Sequence, residues 1–395
     1  MQLTLNGALA VLAHAASAQT WQTVDDFTYA GTGLNRAAGL TLDPFGNVFV
    51  AGWGADANGL YHALIRKSSD AGATWSLVDD LASPGGWAFY GVGLGYLLGG
   101  GIGSDTAGNV YGAGVYSAAN GNVWFVSKSA TGGADWANVD TAGPVAWAAD
   151  VAADAGGNVY VVGRTNATWI TTTTNKNGTI TTSTNTGISW LARKGTGGGT
   201  SWATADQPFP GYATAVYCHP TAGVFVTGRD NSSNAWVTRR SFDAGSTWTT
   251  VDSVAAGPGS SLGGDALGNI YVTGTSSDQK HWLVRKSSDG GNSWTTVDDF
   301  SYCVTTTSTK PPYKTSTTCY TAIPSGFAAD SNGNLFVVGY VNSSQWIVRE
   351  NPGGNTAWQT VDSTISGQAF RIAADSSGHV YVAGPAQGHW IVRKR

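Results

Sequence analysis

Three observations predict an all-β fold, a seven-bladed β-propeller with four antiparallel strands per blade. A ten-residue hairpin unit recurs along nearly the whole chain. Each copy is followed by two further strands marked by tryptophans. The last copy lacks its fourth strand, which stands instead at the other end of the chain.

The hairpin unit reads Asp-x-x-Gly-Asn, an aliphatic residue, Tyr or Phe, then Val-x-Gly. It spans Asp43–Gly52, Asp105–Gly114, Asp154–Gly163, Asp265–Gly274, Asp330–Gly339 and Asp375–Gly384, with a degenerate copy at His219–Gly228. A Gly-Asn turn between apolar, β-branched and aromatic residues is a hairpin signature, and a period of this length marks stacked repeats. A third strand of the type Trp-Leu-Val-Arg-Lys begins at Trp124, Trp190, Trp236, Trp282, Trp346 and Trp390, with Ala63 in the first unit. A turn ending in a second tryptophan leads into the fourth strand, as in Trp294-Thr-Thr-Val-Asp298. Four short strands per unit make a propeller blade. The seventh unit stops after its third strand at Arg395, and Trp21-Gln-Thr-Val-Asp25 supplies the missing fourth. The N-terminal strand is therefore expected to complete the last blade and close the ring, which protects its edges.

Composition agrees. Charged residues form only 12% of the 395, roughly half the usual share. Met1 is the single methionine and Glu350 the single glutamate, so helix formers are scarce beside Thr, Val, Trp and Tyr. A net charge of -4 without a basic cluster gives no reason to expect nucleic acid, and no apolar run reaches the length of a membrane span. Residues 1–18 read as a secretory signal, with Ala16-Ser17-Ala18 ahead of Gln19, or else as an apolar arm for a neighbouring subunit; residues 19–395 form the propeller. Cys303 and Cys319 bracket a Thr/Pro-rich insertion and are expected to pair, which suits a secreted, extracellular or periplasmic location. Cys218 is left as a small buried residue.

The turn between third and fourth strands matches Ser-x-Asp-x-Gly-x-x-Trp at Ser68–Trp75, Ser241–Trp248 and Ser287–Trp294. It is eroded at Ser129–Trp136, Gly195–Trp202 and Asn351–Trp358. On these residues the chain resembles the Asp-box (BNR, sialidase-type) propellers over about residues 20–395, and the hairpin unit is similar to that of bacterial secreted seven-bladed propellers. The resemblance implies a fold, and a structural role for the Asp-box itself. The group shares no common chemistry, so no function follows from it.

Every long insertion falls on the face that carries the 2–3 and 4–1 connections: residues 83–103, Thr165–Ser189 (a hairpin around Asn177-Gly178) and residues 301–325. Of 17 tryptophans, all but four occupy the two repeat positions. The four, Trp53, Trp87, Trp147 and Trp169, lie in loops of that face, with Tyr61, Phe89, Tyr90 and Tyr96. Such aromatics either stack on a sugar or anchor a protein partner, or else pack under their own loops. Arg66, Arg193, Arg239, Arg285, Arg349 and Arg393 recur at one repeat position and are expected to pair locally with fourth-strand aspartates such as Asp298. Arg36, Arg164, Arg229 and Arg371 stand outside that position and map to the inserted face, as do Asp56, Asp150, Asp230 and Asp278. They form a polar ligand site or a solvated rim.

No HExxH, GxSxG, phosphate loop or Cys/His metal set occurs, so neither a cofactor nor a metal is expected. Glu350 stands where other repeats have Lys, at the 3–4 turn on the opposite face, which leaves a sialidase-like tyrosine nucleophile without its activating glutamate. His219 replaces a repeat aspartate at a turn. These features favour a non-catalytic binding or assembly module for a glycan, an extracellular protein or copies of itself. The alternative is a secreted glycoside hydrolase using two of Asp56, Asp150, Asp230 and Asp278, since an inverting pair needs only carboxylates about 6.5–9.5 Å apart.

Overall fold

A computed structural model describes residues 20–82, 88–90, 101–143, 145–206, 209–307 and 314–395; the expected signal segment lies outside them. The described chain forms seven antiparallel sheets, each built around four strands, in sequence order in six of them. Their first strands are Asn35–Leu42, Ile102–Ser104, Ala146–Ala153, Gly211–His219, Gly259–Gly264, Ala322–Ala329 and Arg371–Ala374. These contact one another in a closed cycle, so they line the axis of a ring. Gln22–Phe27 pairs with His389–Lys394 as the outer strand of the seventh blade, from Gln22 opposite Lys394 to Phe27 opposite Trp390. The predicted closure is thus observed.

The core lies between blades, because each sheet is apolar on both faces. Trp390 of blade 7, fully buried, packs with Ala37, Val50 and Leu64 of blade 1. Trp124, Trp190, Trp236, Trp282 and Trp346 fill the equivalent interfaces. Where one of these indoles has a polar neighbour it donates to it: Trp190 Nε1 to Arg229 O at 2.8 Å and Trp236 Nε1 to Thr227 Oγ1 at 2.9 Å.

The repeat aspartates build turns. Asp43 Oδ1 accepts from the backbone N–H groups of Phe45 (3.0 Å) and Asn47 (2.9 Å), and Asp105, Asp265 and Asp330 repeat the pattern. In blade 4, His219 Nδ1 accepts from Thr221 and Ala222 N–H (3.1 and 2.9 Å), while Nε2 donates to Gly268 O at 3.1 Å. The histidine survives there because its neutral ring offers the same acceptor. The third-to-fourth turns are equally structural. Ser68 Oγ donates to Asp70 Oδ1 (2.8 Å) and accepts from Gly72 N–H (2.8 Å), and Asp70 accepts from Thr74 N–H at 2.8 Å.

The repeat arginines pair with fourth-strand aspartates as expected, Asp298 among them, but not locally. They do not pair within their own blade. Arg66 reaches Asp25, Arg193 reaches Asp140, Arg239 reaches Asp206, Arg285 reaches Asp252, Arg349 reaches Asp298 and Arg393 reaches Asp362, in every case the outer strand of the preceding blade. Third strands lie one strand inside the rim, so a side chain of arginine's length crosses the interface and meets its neighbour's carboxylate. Six of seven interfaces carry this clamp, and Ser127 stands at the arginine position of blade 2. Glu350 is buried and bonds Arg395 Nη1 at 2.8 Å.

Two threonine-rich hairpins rise from the loop-bearing face. One joins Val159–Thr174 to Ile180–Thr196, with the expected turn at Gly178. The other joins Thr295–Thr307 to Thr315–Tyr320 and is crossed by the Cys303–Cys319 disulfide. Cys218 is a free thiol, and burial pushes its pKa well up.

Candidate functional site

The loop-bearing end of the ring is organised by one rung of the repeat, the pair that follows the Val-x-Gly glycine. In blade 1 this rung pairs Arg36 with Trp53, in blade 3 Trp147 with Arg164, and in blade 4 Tyr212 with Arg229. Cross-strand neighbours stand close enough for a planar guanidinium to lie on a ring. Arg164 does so, with its Cζ 4.1 Å from the Trp147 ring centroid. Burial raises the Tyr212 pKa, and Arg229 and then Arg164 oppose that shift electrostatically. Arg229 also donates to Asn234 Oδ1. Arg36 turns toward blade 7: Nη2 donates to Gln368 Oε1 at 3.2 Å, and its Cζ lies 4.7 Å from the Phe370 ring. Burial lowers the pKa of Arg36, and holds that of Arg164 to about 10. At about 10, Arg164 remains a cation at neutral pH. These side chains are half-buried, as are Trp53, Trp147 and Tyr61, so they are neither sealed core nor freely solvated rim.

Arg371 belongs elsewhere. It is buried deeper along the inner strands, opposite Ala383, and donates to Phe370 O (3.0 Å) and to Ser325 O. Burial lowers its pKa, and Asp150 opposes that shift from the equivalent level of blade 3. Asp150 accepts from Val216 N–H at 3.1 Å. At the same level the other inner strands carry Gly39, Ala215, Ser261 and Gly326, small residues that leave room for two long polar side chains. Arg371 and Asp150 thus act inside the ring rather than on its rim.

A second cluster flanks blade 1. The Trp53 and Tyr61 rings meet edge to face at 5.3 Å. Beside them Tyr29 Oη donates to Asp80 Oδ2 (2.7 Å), and Asp80 Oδ1 contacts His62 Nδ1 at 2.6 Å. Asp56 Oδ2 stands 3.9 Å from His62 Nε2. Burial, then the Asp80 hydrogen bond, push the Tyr29 phenol up to about 12. His281–Asp299 (2.7 Å) and His389–Asp26 (2.6 Å) repeat the contact in blades 5 and 7. These pairs escaped sequence reading, although a signal exists: a histidine just before the third-strand tryptophan position, matched by a second aspartate in Asp-Asp-Phe or Asp-Asp-Leu.

The aspartates considered for hydrolysis are scattered. Asp56, Asp230 and Asp278 each hold a loop of their own blade, accepting from Leu60, Ser232 and Lys280 N–H respectively. Trp87 lies outside the described residues, as do the side chains of Phe89, Tyr90 and Trp169; Tyr96 lies outside them too. At the other end of the ring a cavity of about 400 Å³ is bordered by Asp43, Asp105 and Asp375. Those carboxylates are committed to their turns. The two ends therefore differ in character: arginine and aromatic at one, turn aspartates at the other. Among the described residues no group of three or more His, Cys, Asp or Glu could hold a metal, and no helix is long and apolar enough to cross a membrane.

No family model and no curated protein matches the chain. Among solved structures it is similar to YCF48 bound to a D1 peptide, at 11% identity and a TM-score of 0.55 over 95% of this chain and 94% of that one. It is similar to the Hadza microbial sialidase Hz136, at 13% identity and a TM-score of 0.53, over 95% of this chain and 68% of that one. It is also similar to the WD40 propeller domain of Doa1, at 10% identity and a TM-score of 0.54, over 95% and 96%. At these identities the likeness is one of fold alone, a seven-bladed β-propeller.

Proposed function

We propose that this chain is an exported, non-catalytic binding module of the Asp-box type that takes an acidic polypeptide segment on its loop-bearing end. The observation that carries the reading is the repeated rung: three blades place an arginine opposite an aromatic ring at the same point, Arg36–Trp53, Trp147–Arg164 and Tyr212–Arg229. A guanidinium already resting on a ring is pre-oriented, so it loses little freedom on meeting a carboxylate. The neighbouring aromatics supply apolar area at low entropic cost. A propeller solved with a bound peptide shares the architecture. Export is supported by residues 1–18 and by the disulfide.

A second reading, glycan hydrolysis, has one observation in its favour, the Tyr29–Asp80–His62 cluster beside Trp53 and Tyr61. A phenol held near 12 stays protonated at neutral pH, which suits a hydrogen-bond donor better than a nucleophile. A random peptide display library screened on the purified chain tests the first reading, with Arg164→Gln as counter-screen and a glycan array in parallel. Enrichment of acidic peptides that Arg164→Gln fails to retain is expected. Recovery of glycans and no peptides overturns it.

A further inference from the structure

Of the two threonine-rich ribbons on the loop-bearing face, one is braced and the other is not. Thr295–Thr307 and Thr315–Tyr320 are joined by the disulfide between their facing residues Cys303 and Cys319. The ribbon of blade 3 has no such link. On one side its pairing with the inner strand ends at Thr165, and on the other its pairing with Ser201–Asp206 begins only at Ala192. Between these limits Ala167–Thr174 and Ile180–Gly187 pair, among the described residues, only with each other. They run without a register shift and carry the ribbon about 25 Å beyond the sheet.

A two-stranded ribbon with no third strand and no core beneath it is at best marginally stable in water. Every residue from Thr172 to Thr184 is exposed, and Ile170 and Ile180 expose 68% and 65% of their surface. The ribbon also lacks what protects an open edge. Its strands contain no charged residue, no proline and no bulge, and Lys176 in the turn is the single charge.

The groups that face outward follow from the turn. Asn175 N–H donates to Thr179 O at 2.9 Å. Rungs of an antiparallel ribbon alternate, so Thr174–Ile180, Thr172–Thr182, Ile170–Thr184 and Thr168–Thr186 are the rungs without backbone bonds between the strands. Thr168 Oγ1 and Thr186 Oγ1 stand 3.1 Å apart, in keeping with the closer approach on such a rung. The N–H and C=O groups of Ile180, Thr182, Thr184 and Thr186 therefore point away from the ribbon. Blade 3 runs from Ala146–Ala153 on the inside to Ser201–Asp206 on the outside, so this edge lies on the rim side, within reach of another ring.

We propose that this edge is an interface between two copies of the chain, which pair antiparallel through Ile180–Thr186 about a two-fold axis. An axis at Ser183 sets Thr182 against Thr184 of the second copy and Ile180 against Thr186, so every outward group finds a partner. The product is a four-stranded sheet with Ile170 and Ile180 of both copies on one face, which supplies the extra strands and the apolar face that the lone ribbon lacks. Threonine meets threonine across the new rungs as it does at Thr168 and Thr186. The antiparallel arrangement carries the two Lys176 ammoniums to opposite ends, whereas a parallel one would set like charges side by side. Because both copies use the same edge, the contact closes at a dimer. It lies apart from the arginine–aromatic rung, and peptide binding there does not depend on it.

Sedimentation velocity of the full chain over a range of micromolar concentrations tests the interface. A reversible dimer is expected. Thr182→Lys with Thr184→Lys faces ammoniums across the axis and should leave monomer at concentrations where the native chain is paired. Because the ribbon stands outside the blades, this variant should keep the native melting temperature. Thr305→Lys with Thr317→Lys, on the braced ribbon, should leave the dimer intact. Ser183→Cys, on the axis, should link two copies under mild oxidation, and Thr172→Cys, on the opposite edge, should not. A native chain that stays monomeric, a dimer that survives the Thr182 and Thr184 lysines, or equal cross-linking from both cysteine positions overturns the proposal.

Discussion

Arg349→Ala isolates one blade clamp. In the native chain Arg349 and Asp298 are both about nine-tenths or more buried, and two hydrogen bonds of 3.0 and 2.8 Å join them. The guanidinium also lies 4.2 Å from the Phe300 ring. Truncation removes the pair and leaves a buried carboxylate facing a cavity. Breaking such a pair typically costs about 3–5 kcal/mol, and the lost ring contact adds roughly 0.5–2. Total stability of a domain is commonly about 5–15 kcal/mol, so the loss should be plain as a lower urea midpoint followed by tryptophan fluorescence. Burial already raises the Asp298 pKa against the opposing influence of Arg349. Without the arginine the carboxyl protonates more readily still, so the penalty should shrink as the pH falls toward 4. Arg349→Met with Asp298→Leu should recover much of the loss, because no charge is then stranded. A cost below about 1 kcal/mol for Arg349→Ala, or a penalty that grows on acidification, refutes the reasoning.

Ring closure predicts that deletion of residues 1–27 lowers the melting temperature sharply or yields aggregates, since it exposes the edge His389–Lys394; unchanged stability removes the closure role. Thiol labelling under denaturing, non-reducing conditions should modify Cys218 alone, and three labels reject the Cys303–Cys319 bond. The Asp-box carboxylates set an acid limit. Thr247, by its hydroxyl and then its N–H, holds the Asp243 pKa down to about 2, and Thr74 does the same for Asp70. A carboxyl depressed on folding contributes stability that is complete above about pH 4 and is lost as the pH falls through about 2. Asp243→Asn should flatten the decline in melting temperature across that window, and an unaltered slope denies the carboxylate the role.

The fold was legible because one repeat states it seven times. Asp-x-x-Gly-Asn fixes the turn, the two tryptophan positions fix the inner and outer packing, and the strand missing after Arg395 is found at Trp21–Asp25. What lay beyond reading was which blade a side chain addresses. Arg349 and Asp298 are recognisable as partners in type, but only the ring geometry places them in different blades. Arg371 looked like Arg36 and Arg164 in sequence, yet it stands three residues further along the inner strand than the mouth rung and is buried opposite Asp150. The His62–Asp80 contact depends on third and fourth strands of one sheet meeting at their ends, 18 residues apart.

The central claim, that the arginine–aromatic end binds acidic polypeptide, is tested most directly by titration calorimetry. A peptide selected on the native chain is measured against it and against Arg36→Gln with Arg164→Gln, folding being checked by near-ultraviolet circular dichroism. A hydrogen bond to a charged group is worth about 1.5–3 kcal/mol, so the double variant should bind at least roughly a hundredfold more weakly while keeping its native spectrum. Unchanged affinity in a folded variant would contradict the account.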